Sequence, residues 1–430
     1  MFLPLLIPDQ RQKRSLAILN DSDEHSDVLN RSWTLPFLAI VLAHFVMDAF
    51  SGMIPASLGL LQNRWALTDG QGAWFLGIGS LCSGLAQPCF AWLSDRTGNR
   101  IFGGLGLCIA GVLISSLGMA SSALHLFAFY ACGMIGNGMF HPIAASTIGQ
   151  LNPRRRSLAV SCFFVGGMLG GITGATFGPR LLATEYGFDW LRLAAIPAAI
   201  VAVVLHLSIR KTEHRVVVND QQGQRVIQPS HWLAVGLLYC SAAIRFTVNL
   251  ALVYLYVRWA ESVVAQQFPD FDAEQLSKAA APLTGNINAS SFAGMACGGL
   301  ASGLLIRSGH EKWPYVLLPL FCAPMVAILP YANTFTACVL AFGAGFGFAS
   351  LVPVTIALAQ RLMPGRTSLA SGLMMGGAWA LAMFGPALAE TLLSVYGMKT
   401  AFLTIACLMA ISGLFILPVK NSVIAGSVNE

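Results

Sequence analysis

Leu151-Asn152-Pro153-Arg154-Arg155-Arg156-Ser157-Leu158-Ala159 returns 211 residues later as Leu362-Met363-Pro364-Gly365-Arg366-Thr367-Ser368-Leu369-Ala370. The leucine, the proline and the Ser-Leu-Ala triplet keep their places. The same offset pairs Pro142 with Pro353 and Gly166 with Gly377, and upstream it pairs Arg96-Thr97-Gly98 with Arg307-Ser308-Gly309. One offset held over about 80 residues marks an internal duplication, and a duplication of this length means two halves of one topology.

What the halves are made of follows from composition. The 430 residues are 56% hydrophobic and only 10% charged, with mean hydropathy +0.67. A soluble chain carries about 25% charged residues, so most of this chain faces lipid or other apolar helices. A hydrocarbon layer about 30 Å thick needs about 20 apolar helical residues to cross it. Helix is the conformation expected for each crossing, because a segment in lipid must satisfy its own backbone groups. Apolar runs predict helices near 33–61, 72–93, 101–121, 124–150, 157–182 and 190–209, then 231–259, 283–306, 313–331, 333–362, 367–395 and 398–418. The expected organisation is a tail 1–32, a six-helix bundle 33–209, a polar linker 210–230, a second six-helix bundle 231–419 and a tail 420–430. The fold class is an all-α membrane protein of twelve spans. Parallel repeats related by an axis along the membrane normal place a substrate site between the halves near midplane.

The net charge of +6 reflects orientation in the membrane rather than affinity for nucleic acid. About 18 of the 25 Lys and Arg fall in the tails, the linker and the loops on the same side, including Arg96, Arg100, Arg154–Arg156, Arg210, Lys211, Arg307, Lys312, Arg361, Arg366 and Lys420. The positive-inside rule then puts both termini in the cytoplasm of an inner or plasma membrane protein. Phe2–Ile7 is short, and the basic cluster Arg11, Lys13, Arg14 follows it, the reverse of a signal peptide. The ten cysteines lie singly in apolar runs, with no CxxC pair, so they are expected as free, small hydrophobes without disulfides or structural zinc.

Ala91-Trp92-Leu93-Ser94-Asp95-Arg96-Thr97-Gly98-Asn99-Arg100 follows the second predicted helix. It resembles the major facilitator signature G-x-x-x-D-R-x-G-R-R, with Ala91 at the opening glycine and Asn99 at one arginine. The resemblance implies a conformational latch built from Asp95, Arg96, Gly98 and Arg100, with Asp95 facing the positive end of a neighbouring helix. A narrower resemblance rests on His44-x-x-x-Asp48 in the first helix, Gln87-Pro88 in the second, Phe140-His141-Pro142 in the fourth and Val165-Gly166-Gly167 in the fifth. These elements are similar to those of the fosmidomycin-resistance group of major facilitator exporters. The group's pattern has Glu where this chain has Ile143, and Asn where it has Met168. Gly174-x-x-x-Gly178-Pro179 and Gly385-Pro386 resemble an antiporter motif, or else they let helices pack closely through small residues.

Ionisable side chains inside spans are costly and by default mark function. His44 and Asp48 lie one turn apart on one helix face, at depths of about 16 and 22 Å in a layer of about 30 Å. Arg245 and Asn249 repeat the spacing in the seventh helix. The two pairs are expected to face each other across a central cavity. There Asp48, with His44, takes up a proton, and Arg245 attracts an anionic group by planar two-point donation. An Asp48–Arg245 pair in the empty state would couple the two, or would simply hold the halves together. His141 is a candidate for substrate or proton handling, or for a hydrogen bond to the carbonyl that Pro142 frees. Asn137, Gln87, Asn286 and Asn288 are candidate cavity polars. The outer segment 260–282 is expected to form a short amphipathic helix over the mouth. The two in-span histidines, 97 residues apart, have no evident third ligand in the sequence, so no metal or other cofactor is expected.

Enzyme motifs H-E-x-x-H, G-x-S-x-G and the P-loop are absent from the sequence, which argues against a membrane-embedded enzyme and against direct use of ATP. The expected activity is secondary transport by alternating access: proton-coupled export of a small anionic or drug-like molecule by a monomer. Proton-coupled uptake of a small organic anion remains the alternative.

Overall fold

The computed structural model describes residues 34–97, 101–151, 156–209, 229–307, 309–363 and 366–425. The expected tail 1–32 and most of the linker lie outside them. The first half comprises α1 (Thr34–Ala56, followed by a short helix Leu58–Arg64), α2 (Asp69–Thr97), α3 (Ile101–Ser115), α4 (Ala123–Leu151), α5 (Arg156–Leu182) and α6 (Ala195–Ile209). The second comprises α7 (Pro229–Gln267), α8 (Ala273–Leu305), α9 (Lys312–Ile328) and α10 (Thr334–Ala349, resuming as Val352–Leu362). It ends with α11, which opens at Thr367–Gly372, and α12, which closes at Leu414. Among the described residues, nine helical stretches are long and apolar enough to span a membrane. Ile101–Ser115 is a shorter apolar helix, and Ala273–Leu305 is long enough to cross but less apolar than the nine. The stretch Leu369–Leu414 divides into α11 and α12 at Gly397, whose φ of +81° suits a residue without Cβ.

Packing repeats as the sequence does. In the first half α1 packs on α5, α2 on α4, and α3 on α4 and α6; in the second α7 packs on α11, α8 on α10, and α9 on α10 and α12. Small residues set the distances. Gly166, Gly170, Gly174 and Gly178 form one ridge of α5, where a Cβ would meet Val41, the Phe45 carbonyl, the Ala49 carbonyl and Met53 of α1. Gly385 abuts the Thr247 carbonyl of α7 in the same way. The glycines of the Gly-Pro motifs therefore serve close helix packing. Large apolar side chains such as Leu38, Phe321 and Phe335 stay exposed on the outer wall, as a lipid-facing surface requires.

Two departures from expectation concern helix ends. The segment 260–282 is not a separate cap: α7 runs on to Gln267 and α8 begins at Ala273. A capping box starts α8, with Asp272 Oδ1 accepting from the Gln275 N–H (2.8 Å) and the Asp272 N–H donating to Gln275 Oε1 (3.1 Å). The tenth helix is not continuous either. It breaks at Ser350–Leu351, just before Pro353, which has no N–H to extend the ladder. A π-turn at Leu373–Gly377 interrupts α11 where Gly376 meets Gly84 and Pro88 of α2.

Because the chain crosses back and forth, helix ends gather at two levels. Thr34, Thr97, Leu151, Pro229 and Leu362 lie at one, the tail end; Ala56, Asp69, Leu182, Gln267 and Ala273 lie at the other, the far end. The halves touch along two seams, α2 with α11 and α5 with α8, which the duplication exchanges. In the α2–α11 seam Ser80 Oγ donates to the Trp379 carbonyl (2.5 Å). The far end is tied further. Arg180 Nη2 donates to Asn286 Oδ1 (2.7 Å). Arg258 of α7 reaches across to Asp69 Oδ1 (2.9 Å) and to Gln62, and it pairs with Glu261 in its own helix (2.8 Å). Tyr254 donates to Glu390 Oε2 (2.5 Å) beneath it.

Candidate functional site

The first-half site is built on α1. Residues 44 and 48 share a face of that helix, and His44 Nε2 lies 3.2 Å from Asp48 Oδ2. Helix α4 brings His141 to the other oxygen, with Nε2 3.2 Å from Asp48 Oδ1. The other nitrogen of each ring is committed to a backbone carbonyl, which can only accept. His44 Nδ1 therefore donates to Phe163 O (2.7 Å) and His141 Nδ1 to Asn137 O (2.9 Å). The carbonyl used by His141 is one residue before the one that Pro142 frees. The His44 ring stacks on Phe163, centroids 3.8 Å apart, and meets the His141 ring edge-on at 5.1 Å. His44 is 2% exposed and Asp48 8%, while the His141 side chain is 21% exposed. Gly167 of α5 faces this cluster, and a Cβ there would run into the His44 ring and Asp48 Oδ2.

Asn137 joins the site from α4. Its Oδ1 accepts from Ser83 Oγ (2.9 Å) and its Nδ2 donates to Ser51 Oγ (2.8 Å), which links α1, α2 and α4. Ser51 and Ser83 escaped the sequence reading, because a lone serine in an apolar run has no distinguishing pattern.

Arg245 is placed differently from expectation. It is 3% exposed and turned into the second half, with Nη2 donating to Thr355 Oγ1 (2.7 Å) of α10 and Tyr315 OH (3.1 Å) of α9. The guanidinium also lies over the Tyr315 ring at 5.1 Å. Its Nε and Nη1 have no hydrogen-bond partner among the described residues. Asp48 and Arg245 thus do not pair in this conformation; each finds its partners within its own half, Asp48 in two imidazoles and Arg245 Nη2 in two hydroxyls. Asn249 is buried one turn along α7 from Arg245.

The remaining candidates disperse. Gln87 packs beside Gly376 in the α2–α11 seam rather than with the histidines. Asn286 belongs to the far-end tie with Arg180. Asn288 donates to the Thr284 carbonyl of its own helix (2.9 Å), a structural use. Of the latch residues, Arg96 is exposed and covers the Trp92 ring at 4.2 Å. The Asp95 side chain, Gly98 and Arg100 lie outside the described residues. Arg361, counted with the basic loops, forms an ion pair with the buried Glu311.

Comparison with known proteins agrees with this architecture. The family model of the Major Facilitator Superfamily matches residues 37–277 and 240–429. The chain is 26% identical to the fosmidomycin resistance protein of Escherichia coli, over 81% of this chain and 84% of that one. It is 24% identical to an uncharacterized MFS-type transporter of Bacillus subtilis, over 89% and 93%. Among solved structures it is similar to a bacterial homologue of the human lysosomal transporter Spinster in an inward-facing, unoccupied conformation, with TM-score 0.63, 16% identity and coverage of 92% and 97%. It is also similar to a peptide transporter, POT, with TM-score 0.66, 15% identity and coverage of 91% and 95%. The duplicated helical fold, the buried polar clusters and the family match across both halves lead to one conclusion: this chain belongs to the Major Facilitator Superfamily and is a multi-pass membrane transporter, not an enzyme.

Proposed function

We propose that the protein exports a small anionic or drug-like molecule in exchange for protons. The observation that carries this reading is the buried Arg245 guanidinium, two of whose nitrogens, Nε and Nη1, have no acceptor among the described residues. An unpaired cation deep in a span is costly, and an anionic group of a substrate would supply the missing acceptors by two-point donation. The proton carrier is the His44–Asp48–His141 cluster. The two sites lie in different halves, so alternating access couples them through the movement of the halves rather than through competition for one ion pair. The far-end ties at Arg258 and Arg180 hold that end closed, which leaves the tail end as the opening through which substrate enters.

In this reading the protein works as a monomer surrounded by lipid in the inner or plasma membrane. The tails 1–32 and 420–430 and the linker 210–230 are cytoplasmic, and the bundles 33–209 and 231–419 rock against each other. The latch at Asp95, Arg96, Gly98 and Arg100 closes the cytoplasmic side in the opposite state. Export is supported by the similarity to a fosmidomycin resistance protein.

The test uses proteoliposomes with a pH-sensing dye inside and an imposed proton gradient. A panel of phosphonates and organic anions, fosmidomycin included, is added to wild type and to Asp48→Asn. The expected result is discharge of the gradient by at least one anion with wild type and not with the variant. Equal discharge by both proteins would remove Asp48 from the coupling path. Movement of anion and proton in the same direction would replace export by uptake.

A further inference from the structure

The geometry points to a divalent transition-metal site at His44 Nε2, Asp48 and His141 Nε2, the same three groups that the proposed function assigns to protons. It deepens that reading by naming a second ion for the site.

The argument begins with lone pairs. Both Nδ1 atoms spend their hydrogen on a carbonyl, Phe163 O for His44 and Asn137 O for His141. A neutral imidazole has one N–H, so each Nε2 is then left with a lone pair. Both Nε2 atoms lie 3.2 Å from an oxygen of the Asp48 carboxylate, His44 from Oδ2 and His141 from Oδ1. Three acceptors thus converge, and the ligand atoms all lie within 4.8 Å of one another. Such an arrangement is repulsive unless a cation lies among them. Protons on both Nε2 atoms are one solution; a metal ion is the other.

The metal solution fits the distances. Zinc-class ions bind imidazole nitrogen and carboxylate oxygen at about 2.0–2.2 Å, so neighbouring ligands of a tetrahedral site stand about 3.3 Å apart. Each His–Asp separation is close to that edge, one to each carboxylate oxygen, so the ion would be held by both oxygens of Asp48. Metal-binding histidines also commonly donate their second N–H to a carbonyl, which fixes the ring and its tautomer; both histidines here do so. Two imidazoles and one carboxylate suit Zn²⁺, Co²⁺ or Ni²⁺ rather than Mg²⁺ or Ca²⁺. Three protein ligands leave a position open, and the part-exposed His141 is the side from which water or a chelating anion reaches it. Gly167 keeps the fourth side clear of a Cβ.

Charge balance allows exchange. Two imidazolium groups and one carboxylate sum to one positive charge, and two neutral imidazoles, one carboxylate and one divalent ion sum to the same. A divalent ion can therefore replace two protons without changing the charge of a buried site.

Tag-free protein in detergent, stripped with EDTA and freed of chelator, is titrated with Co²⁺ and followed by visible absorption and by metal analysis. The expected result is one Co²⁺ per chain with ligand-field bands and no sulfur-to-cobalt charge transfer. Zn²⁺ should displace it and Mg²⁺ should not, and Zn²⁺ should raise Tm. Asp48→Asn and His141→Gln should each weaken binding by more than the roughly 10–100-fold lost with a ligand's hydrogen-bond partner. No ligand-field bands in folded wild type, or binding equal in wild type and both variants, overturns the site. Should a variant not fold, wild type decides, because bands free of thiolate character exclude the cysteines and the Zn²⁺ shift in Tm reports binding to the native state. The proteoliposome assay separates the two readings: gradient discharge without cobalt binding removes only the metal, and cobalt binding without discharge removes only the proton-coupled export.

Discussion

Replacing Arg258 by glutamine should loosen the far end of the molecule. The guanidinium makes two contacts across the halves, to Asp69 Oδ1 at 2.9 Å and to Gln62 Oε1, and two in its own helix, to Glu261 and to Tyr254 OH. The Asp69 side chain is 59% exposed, so its ion pair is worth at most about 1 kcal/mol. A hydrogen bond from a charged donor to a neutral acceptor is worth about 1.5–3 kcal/mol. Together the crossing contacts favour the closed far end by roughly 2–3 kcal/mol, which corresponds to a roughly 30- to 150-fold change in the ratio of closed to open forms. Hydrogen–deuterium exchange with mass spectrometry reads this directly. Exchange in peptides covering Leu58–Arg64 and residues 267–273 should accelerate in Arg258→Gln by up to that factor, while Val352–Leu362 at the tail end should not change. Arg258→Lys should recover part of the protection, since an ammonium keeps the charge but not the fork. Identical exchange in wild type and Arg258→Gln, at equal Tm, would refute the idea that this cluster holds the halves together.

Three further outcomes follow from the same contacts. Gly174→Val places a side chain against the Ala49 carbonyl, so α1 and α5 must separate; the expected loss is about 1–3 kcal/mol, read as a lower Tm. Asp272→Ala removes the capping box of α8 and should cost about 1 kcal/mol, with faster exchange confined to the first turn after residue 272; an unchanged rate there would mean that packing alone starts the helix. Arg245→Lys keeps the charge but cannot bond Tyr315 and Thr355 while offering a planar pair of donors, so transport of the anion that discharges the gradient should fall at least about tenfold, with Tm near wild type.

The parts of the site that were legible in the sequence are those made by one helix. His44 and Asp48 lie four residues apart, and a helix places such residues together whatever surrounds it. The partners of Arg245 were not legible. Tyr315 and Thr355 come from α9 and α10, and neither residue type is unusual in an apolar span. The expectation that Asp48 would meet Arg245 failed for a related reason. Equal depth in two spans says that two residues lie at one level, but not which way each side chain turns about its helix axis. The far-end cluster was hidden by a boundary: ending the seventh helix near residue 259 left Glu261 in a supposed loop, away from Arg258.

The sequence by itself determined the number of spans, the duplication and the membrane setting, because each follows from local hydropathy or from a constant offset, and lipid permits one kind of backbone for an apolar run. It also determined which α5 residues are small enough to meet a neighbour. Only the tertiary structure decided that His141 completes a three-residue cluster with His44 and Asp48, that Arg245 turns into its own half, and that Asn286 belongs to a tie rather than to a cavity. Those outcomes depend on the rotation and contact of helices far apart in the chain, and no spacing along a single strand of sequence encodes a rotation between two of them.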